Sequence, residues 1–419
     1  MDFKKISQKL LLILFGSAMM LSCTTKNKKS EEMKNIFDKG TFGYDLNYLS
    51  DKDSLVVLKS ENEEAQVIVS AKYQAKVFTS TADGLQGRSL GFINYKVFDS
   101  GRIDEHMNGY GGENRFWLGP EGGQFSIFFK PGEKQTFENW HTPKAIDIEA
   151  WTVRKSSSKE VLMTKDMSLE NYLGRVLKIG VERKISLIPN DEITQKLGVK
   201  LSQDVKTVAY CTENCITNNN DFEWTPKTGT VCIWLLDMFN PSSTAMTIVP
   251  YNEGDETKLG KVATTDYFGE IPEDRIKVEK GILYLKTDGN YRSKIGINAK
   301  RTKSIAANYD PASKRLTIVT FDVHPEKTYL NQEWNPAKDP LTGDALNAYN
   351  DGPLDDGSIM GPFLEVESCS PAAFLKPQES LSHIQNVYHF VGDEADLNPI
   401  SEILLGKSLT DIKQLFATK

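Results

Sequence analysis

Short runs of β-branched and aromatic residues, separated by Gly, Pro, Asn and Asp, recur along the chain from Asp45 onward. Runs of this kind form strands, because branched and ring side chains pack on a pleated surface while the separators turn the backbone. They predict strands at Ser54–Leu58, Gln66–Ser70, Ala75–Thr79, Gly91–Phe98, Ala145–Val153, Val176–Leu187 and Val205–Tyr210. Further strands are predicted at Val231–Phe239, Ile282–Lys286, Lys294–Ile297, Leu316–Asp322 and Phe363–Ser368, and a terminal strand carries His383 and His389. Helical period is confined to short pieces: one turn at Ser168–Tyr172, cut by Gly174, and Pro399–Leu405, closed by Gly406. Ser408 to Asp411 then has capping-box spacing, and Leu409, Ile412 and Phe416 form an apolar face that packs on the sheets. The pattern predicts an all-β sandwich or barrel with short C-terminal helices. No fixed-period repeat and no long linker divides it, so residues 40–395 read as one β domain followed by a helical tail, 396–419.

The first turn of the chain differs. Lys4, Lys5 and Lys9 precede an apolar run, Leu10–Leu21, that ends in Ser22-Cys23. The run is shorter than the roughly 20 apolar residues a spanning helix needs, and its charged flank is that of an export signal. Ser22-Cys23 resembles the lipobox of bacterial lipoproteins, which implies cleavage after residue 22 and lipidation of Cys23. The chain is then expected in the bacterial cell envelope, held to the membrane through Cys23. Residues 23–39, polar and charged, read as a tether.

The 419 residues are 39% hydrophobic and carry a formal charge of −7. An acidic balance with no basic stripe excludes a general nucleic-acid binder. The five His and five Cys are scattered, so no zinc site is predicted. Cys211 and Cys215 leave two readings open, a local bridge or two free thiols, while Cys232 and Cys369 read as buried. No G-x-S-x-G, Walker A or H-E-x-x-H motif is present.

Two stretches carry candidate chemistry. In 343–371 a loop dense in Asn, Asp and Gly precedes a strand on which Glu365 and Glu367, two apart, share one face. Tyr349 belongs to that loop, and Asn347, Asn350, Asp351, Asp355 and Asp356 there offer oxygen ligands of the kind Ca²⁺ takes, without EF-hand spacing; no cofactor is otherwise expected. In 109–123 six glycines surround Glu113, Asn114, Arg115, Trp117 and Glu121. Rings stack on apolar sugar faces and charged forks orient hydroxyls, so this stretch reads as a carbohydrate contact or as a Gly-rich hairpin around a buried Trp. His106 and His141, in polar surroundings nearby, are the acid–base candidates.

Three segments in order, GGENRFWLGPEGG (111–123), ITNNNDFEWTPKTGTVCIWLLDMF (216–239) and GPFLEVESCSPAAFLKPQESLSH (361–383), resemble the galactose mutarotase-like, or aldose 1-epimerase-like, supersandwich group. The similarity is nearest to uncharacterised bacterial lipoproteins of that group and spans about residues 40–395. It implies a large antiparallel β-supersandwich that binds carbohydrate on one face. It also implies that Glu365 stands at the position of the base that removes the anomeric proton. The group's mid-chain acid histidine has no counterpart, because Cys215-Ile216-Thr217-Asn218-Asn219 occupies that region. The expectation is a lipid-anchored carbohydrate-binding protein with Glu365, Glu367 and His106 as catalytic candidates. Glu113, Asn114, Arg115, Trp117, Glu121, Asn347, Tyr349, Asn350 and Asp351 are the substrate-binding candidates. The rival expectation is a non-catalytic envelope scaffold reusing the sandwich.

Overall fold

The computed structural model describes residues 36–354 and 356–416. The export signal, Cys23, most of the tether, and Asp355 lie outside the described residues. Among the described residues, eighteen strands run in chain order. The first six are β1 (Val56–Lys59), β2 (Gln66–Ser70), β3 (Lys76–Thr81), β4 (Arg115–Gly119), β5 (Thr152–Ser156) and β6 (Glu160–Glu170). Next come β7 (Val176–Leu187), β8 (Lys206–Asn218), β9 (Cys232–Phe239), β10 (Met246–Pro250), β11 (Ile276–Glu279) and β12 (Ile282–Lys286). The last six are β13 (Ser293–Asn298), β14 (Ile305–Asp310), β15 (Arg315–Phe321), β16 (Asp344–Asn350), β17 (Leu364–Cys369) and β18 (Ser380–Val391).

Ten of them form one sheet, in the order β11-β12-β10-β14-β15-β18-β8-β7-β6-β5. Five form a second, β13-β16-β17-β9-β4, and β1-β2-β3 a third. All neighbouring strands are antiparallel. A bridge between Val77 and Asn114, closed by backbone bonds of 3.0 and 3.1 Å, joins the three-stranded sheet to the β4 edge of the second. The second layer therefore extends across the face of the ten-stranded sheet. This is the large antiparallel β-sandwich that the sequence predicts.

Alternation along the strands assigns the two faces of the five-stranded sheet. On β9, Ile233, Leu235 and Phe239 enter the inter-sheet core, as do Leu364 and Val366 on β17. The intervening Trp234, Leu236 and Met238, with Glu365 and Glu367, turn to the outer face. The inner space is not wholly apolar. Asn114 donates to Asp237 Oδ1 and to Gln385 Oε1, both at 2.5 Å, and accepts from Arg183. Gln385 Nε2 donates to Ser368 Oγ at 3.1 Å, which also contacts His383 Nε2 at 2.8 Å. Beside this layer the buried Glu113 accepts from Ser80 Oγ at 2.7 Å and contacts His389 Nε2 at 2.9 Å. Most buried polar atoms are bonded, and these bond one another across the sheets, Asp237 Oδ2 and His383 Nδ1 being left without a partner among the described residues.

The C-terminal helices, Glu394–Leu405 and Leu409–Gln414, pack on the outer side of the ten-stranded sheet. Leu397, Ile400, Leu409 and Ile412 bury there with Leu316 and Phe390, and Phe416 packs beside them. Ser408 Oγ accepts from Asp411 N at 3.0 Å, the cap that the sequence spacing predicts.

Three local expectations are corrected and one pair of open readings is narrowed to one. Gly91–Phe98 is not a strand: Asn94 caps a helix, Tyr95–Ser100, that left-handed Gly101 ends. Ala145–Val153 holds a helical turn, Lys144–Asp147, before β5 begins at Thr152. Ser168–Glu170 completes β6 instead of starting a helix. Cys211 and Cys215 both lie on β8 and are free. Four residues of strand separate them by about 13 Å, beyond the roughly 7 Å a disulfide spans between Cα atoms.

Asn114 at the hub of the inner network makes a direct test. Asn114→Ala strips bonds from Arg183, Asp237 and Gln385 at once, and is expected to lower stability by about 3 kcal/mol. The measurement is the urea midpoint; an unchanged midpoint rules out the hub role.

Candidate active site

Strand pairing places Arg115 beside Leu236, Leu236 beside Glu367, and Glu367 beside Asn347. One row further along, Met238, Glu365, Tyr349 and Lys294 follow across β9, β17, β16 and β13. Trp117 and Trp234 pair on the other side of the first row. Because β residues two apart share a face, all of these point outward together. All but Asn347 form the floor of a cleft of about 300 Å³.

The walls come from loops. Glu121 sits just past β4, where its backbone N–H donates to Gln332 Oε1 at 2.8 Å. The segment carrying Trp334 crosses so close that a Cβ on Gly122 would lie 2.3 Å from Glu333 O, so only glycine fits. Trp140 and His106 close another side, His106 Nδ1 donating to the Trp140 carbonyl at 2.6 Å. The His106 ring stacks on Phe137 and His141, with centroids 4.6 and 4.8 Å away. Phe137, Phe268 and Met360, which line the cleft, are 59%, 44% and 38% exposed. An apolar rim open to solvent thus surrounds a charged floor.

The floor charges are paired. Arg115 Nη2 donates to Glu365 Oε1, and its guanidinium lies 5.1 Å from the Trp117 ring. Lys294 Nζ and Trp234 Nε1 each donate to Glu367 Oε2 at 2.9 Å. Burial, opposed by Arg115 and reinforced by Glu367, pushes the Glu365 carboxyl up to about 7. Burial likewise pushes Glu121 up to about 7, with Lys294 opposing. Burial works to lower Lys294, but Glu367, Glu121 and Glu365 together outweigh it and hold the ammonium above its usual range. Behind Arg115, Lys76 is pushed down to about 7 by burial and by the Arg115 charge. Glu365 and Glu121 can therefore each take up or give a proton near neutrality.

Of the expected site residues, Arg115, Trp117, Glu121, Tyr349, Glu365, Glu367 and His106 line this cleft. Asn347 lies on the same face beside Glu367, with its amide turned to the Ile295 carbonyl at 3.3 Å. Asp351 stands behind Tyr349, whose hydroxyl donates to it at 3.0 Å. Glu113 and Asn114 do not reach the cleft: alternation turns Asn114 inward, and Glu113 bonds Ser80 and His389. Nor does Asn350, which faces opposite to Tyr349 and binds Gly289 N at 2.8 Å and Tyr291 O at 2.7 Å. That opposition also keeps Asn347 and Asn350 from converging on one cation, and no group of three His, Cys, Asp or Glu is placed to hold a metal among the described residues. Cys215 to Asn218 lie on β8 in the other sheet, away from the cleft. Sequence reasoning missed Trp234, Arg292, Lys294, Trp334 and Phe268. The signal was present in part: Trp234-x-Leu236-x-Met238 and Arg292-x-Lys294 are period-two patterns, whereas the loop aromatics have no periodicity.

The carboxyl of Glu365 makes stability pH-dependent with a definite sign. Its folded value lies above the ordinary 4.5, so the folded state holds the extra proton between about 4.5 and about 7. Its contribution to stability falls as pH rises through that window, by at most about 1.4 kcal/mol per pH unit. Glu365→Gln is expected to flatten the curve of unfolding free energy over pH 4.5–7 relative to the unsubstituted protein. Parallel curves contradict the assignment.

No curated protein matches the chain. Among solved structures it is similar to the Slr1438 protein of Synechocystis sp. PCC 6803, at 13% identity, 80% coverage of this chain, 96% of that one and a TM-score of 0.48. It is similar to a putative aldose 1-epimerase of Escherichia coli K12 at 12% identity, with 80% and 98% coverage and a TM-score of 0.46. A galactose mutarotase-like protein of Lactobacillus casei ATCC 334 is similar at 11% identity, with 80% and 100% coverage and a TM-score of 0.43. Over residues 40–416 the sequence matches the model of the family of unknown function DUF6786, and the chain belongs to that family.

Proposed function

We propose that the cleft binds a carbohydrate and that Glu365 is its acid–base group. The observation that carries this reading is the exposed aromatic rim over a floor of oriented charge. Phe137, Phe268 and Trp334 offer faces on which the C–H side of a pyranose stacks, and Glu367, Arg115 and Lys294 offer fixed partners for its hydroxyls. In the catalytic form of the reading, Glu365 takes the proton from the anomeric hydroxyl and the Glu121 carboxyl, in the same cleft, returns one to the ring oxygen. That sequence of transfers opens and recloses the ring and needs no other reactant. The scaffold alternative expects Arg115, Trp117, Glu365 and Asn350 to be scattered; three of the four share the cleft and Asn350 alone does not.

A thermal-shift screen against mono- and oligosaccharides tests binding, since a ligand stabilises the folded state in proportion to the logarithm of its concentration over Kd. For a saccharide that binds, Trp334→Ala is expected to weaken affinity about tenfold, and Glu365→Gln to abolish mutarotation followed by polarimetry while binding persists. Mutarotation unchanged in Glu365→Gln removes the catalytic assignment. Saccharide binding with no catalysed mutarotation by the unsubstituted protein assigns a binding role alone.

The export reading is proposed separately, on Lys4, Lys5, Lys9 and the Leu10–Leu21 run ahead of Ser22-Cys23. Cys23→Ser is expected to move the protein from the membrane fraction to the soluble fraction and to prevent incorporation of labelled fatty acid. Unaltered fractionation contradicts a lipid on Cys23.

A further inference from the structure

Three cations line the cleft, and two are already committed. Arg115 is closed onto Glu365, and Lys294 onto Glu367. Arg292 has no such partner. Its Nε donates to the Tyr349 hydroxyl at 3.3 Å, and its guanidinium lies 3.9 Å from the centroid of the Phe268 ring. Among the described residues no carboxylate comes within ion-pair distance of it, and the residue is partly exposed where it lines the cleft. Asp351 does not neutralise it by contact, because that carboxylate accepts from the Tyr349 hydroxyl at 3.0 Å and from Gly361 N at 2.7 Å.

The surrounding backbone is built to hold this side chain in place. Asn350 fastens residues 289–291 by bonds to Gly289 N and Tyr291 O. Gly352 allows the chain to press against them, since a Cβ there would lie 2.4 Å from Arg292 N. Tyr349 accepts from Arg292 and donates to Asp351, so the hydroxyl fixes one edge of the guanidinium while Phe268 supports its plane. What remains is the outer fork of nitrogens, the geometry that takes the two oxygens of a carboxylate or the oxygens of a sulfate or phosphate. From β17, which carries Glu365, to β13, which Arg292 precedes, is two strands, about 10 Å in the plane of the sheet. Both side chains are long enough to lean inward over one sugar ring bearing an exocyclic charged group.

We propose that the cleft takes an acidic saccharide, whose anionic group is held by the Arg292 fork against Phe268 while its hydroxyls face the Glu365 floor. This rests on the carbohydrate reading above and names the class of sugar. Asp351 and Glu121 act on the Arg292 charge only from a distance, so hydroxyls alone leave its fork without a bonded counterion; an anion supplies one.

The test is calorimetric titration of the full-length protein in detergent with glucose, galactose and mannose, each beside its uronate, 6-sulfate and 6-phosphate. The expected result is an acidic member that binds about tenfold or more tightly than its neutral parent, the three anion arms separating carboxylate from sulfate and phosphate. Arg292→Gln is expected to bring that ratio to within about twofold, and Arg292→Lys, which keeps the charge but not the fork, to give an intermediate ratio. Circular dichroism of each variant matching the parent establishes that the fold is retained. Neutral sugars binding as tightly as their acidic counterparts overturn the proposal and leave the carbohydrate reading standing. Acidic preference retained by Arg292→Gln overturns the role of Arg292. No binding by any member overturns the acidic-saccharide proposal, while the carbohydrate reading stands or falls on the wider mono- and oligosaccharide screen.

Discussion

Burying Arg115 with Glu365 and Lys294 with Glu367 on one sheet face sets the terms for everything around them. Each ion costs several kcal/mol to take out of water, and pairing returns that cost only with good geometry and filled hydrogen-bond positions. An apolar floor of the same volume is often no less stable. These charges are therefore poor candidates for stabilising elements, and their placement is consistent with the ligand role proposed for the cleft. The physical consequence is visible in the carboxyls: burial lifts Glu365 and Glu121 to about 7, where small changes in surroundings move a proton.

Such a floor needs rigid support. Beneath it the Asn114, Asp237, Gln385 and Ser368 network ties β4, β9, β18 and β17 together through their inward residues. Arg115 and Asn114 are neighbours, as are Glu367 and Ser368, so the inner bonds fix the backbone from which the outer charges project. The sandwich thus separates two tasks on alternate residues. Inward residues hold register, and outward residues line the cleft.

That alternation also explains what the sequence revealed. Glu365 and Glu367 were legible because two acids at period two on a Leu-Val strand have one natural arrangement. The all-β class followed from the strand runs, and the C-terminal helices from their caps. Asn114 and Glu113 misled because polar residues in a glycine-rich stretch look exposed; they are inward, and their partners on β18 and β7 are distant in sequence. Asn350 misled for the same reason, since β16 is rich in polar residues yet lies inside its sheet, between β13 and β17. The Gly91–Phe98 run has strand propensity, but the Asn94 cap and Gly101 made the local helix cheaper than pairing. The cleft walls were illegible because Phe268, Trp334 and Trp140 come from irregular loops, and no periodic signal marks which loop folds over which strand.

The central claim is that the outer face of the five-stranded sheet, around Glu365, is a saccharide site. The most direct measurement is a crystal structure of the protein grown with a saccharide that stabilises it. The account predicts a sugar ring in the cleft beside Phe268 and Trp334, with a hydroxyl within hydrogen-bond distance of the Glu365 carboxyl. Saccharide bound elsewhere on the molecule, with this cleft empty, would contradict it.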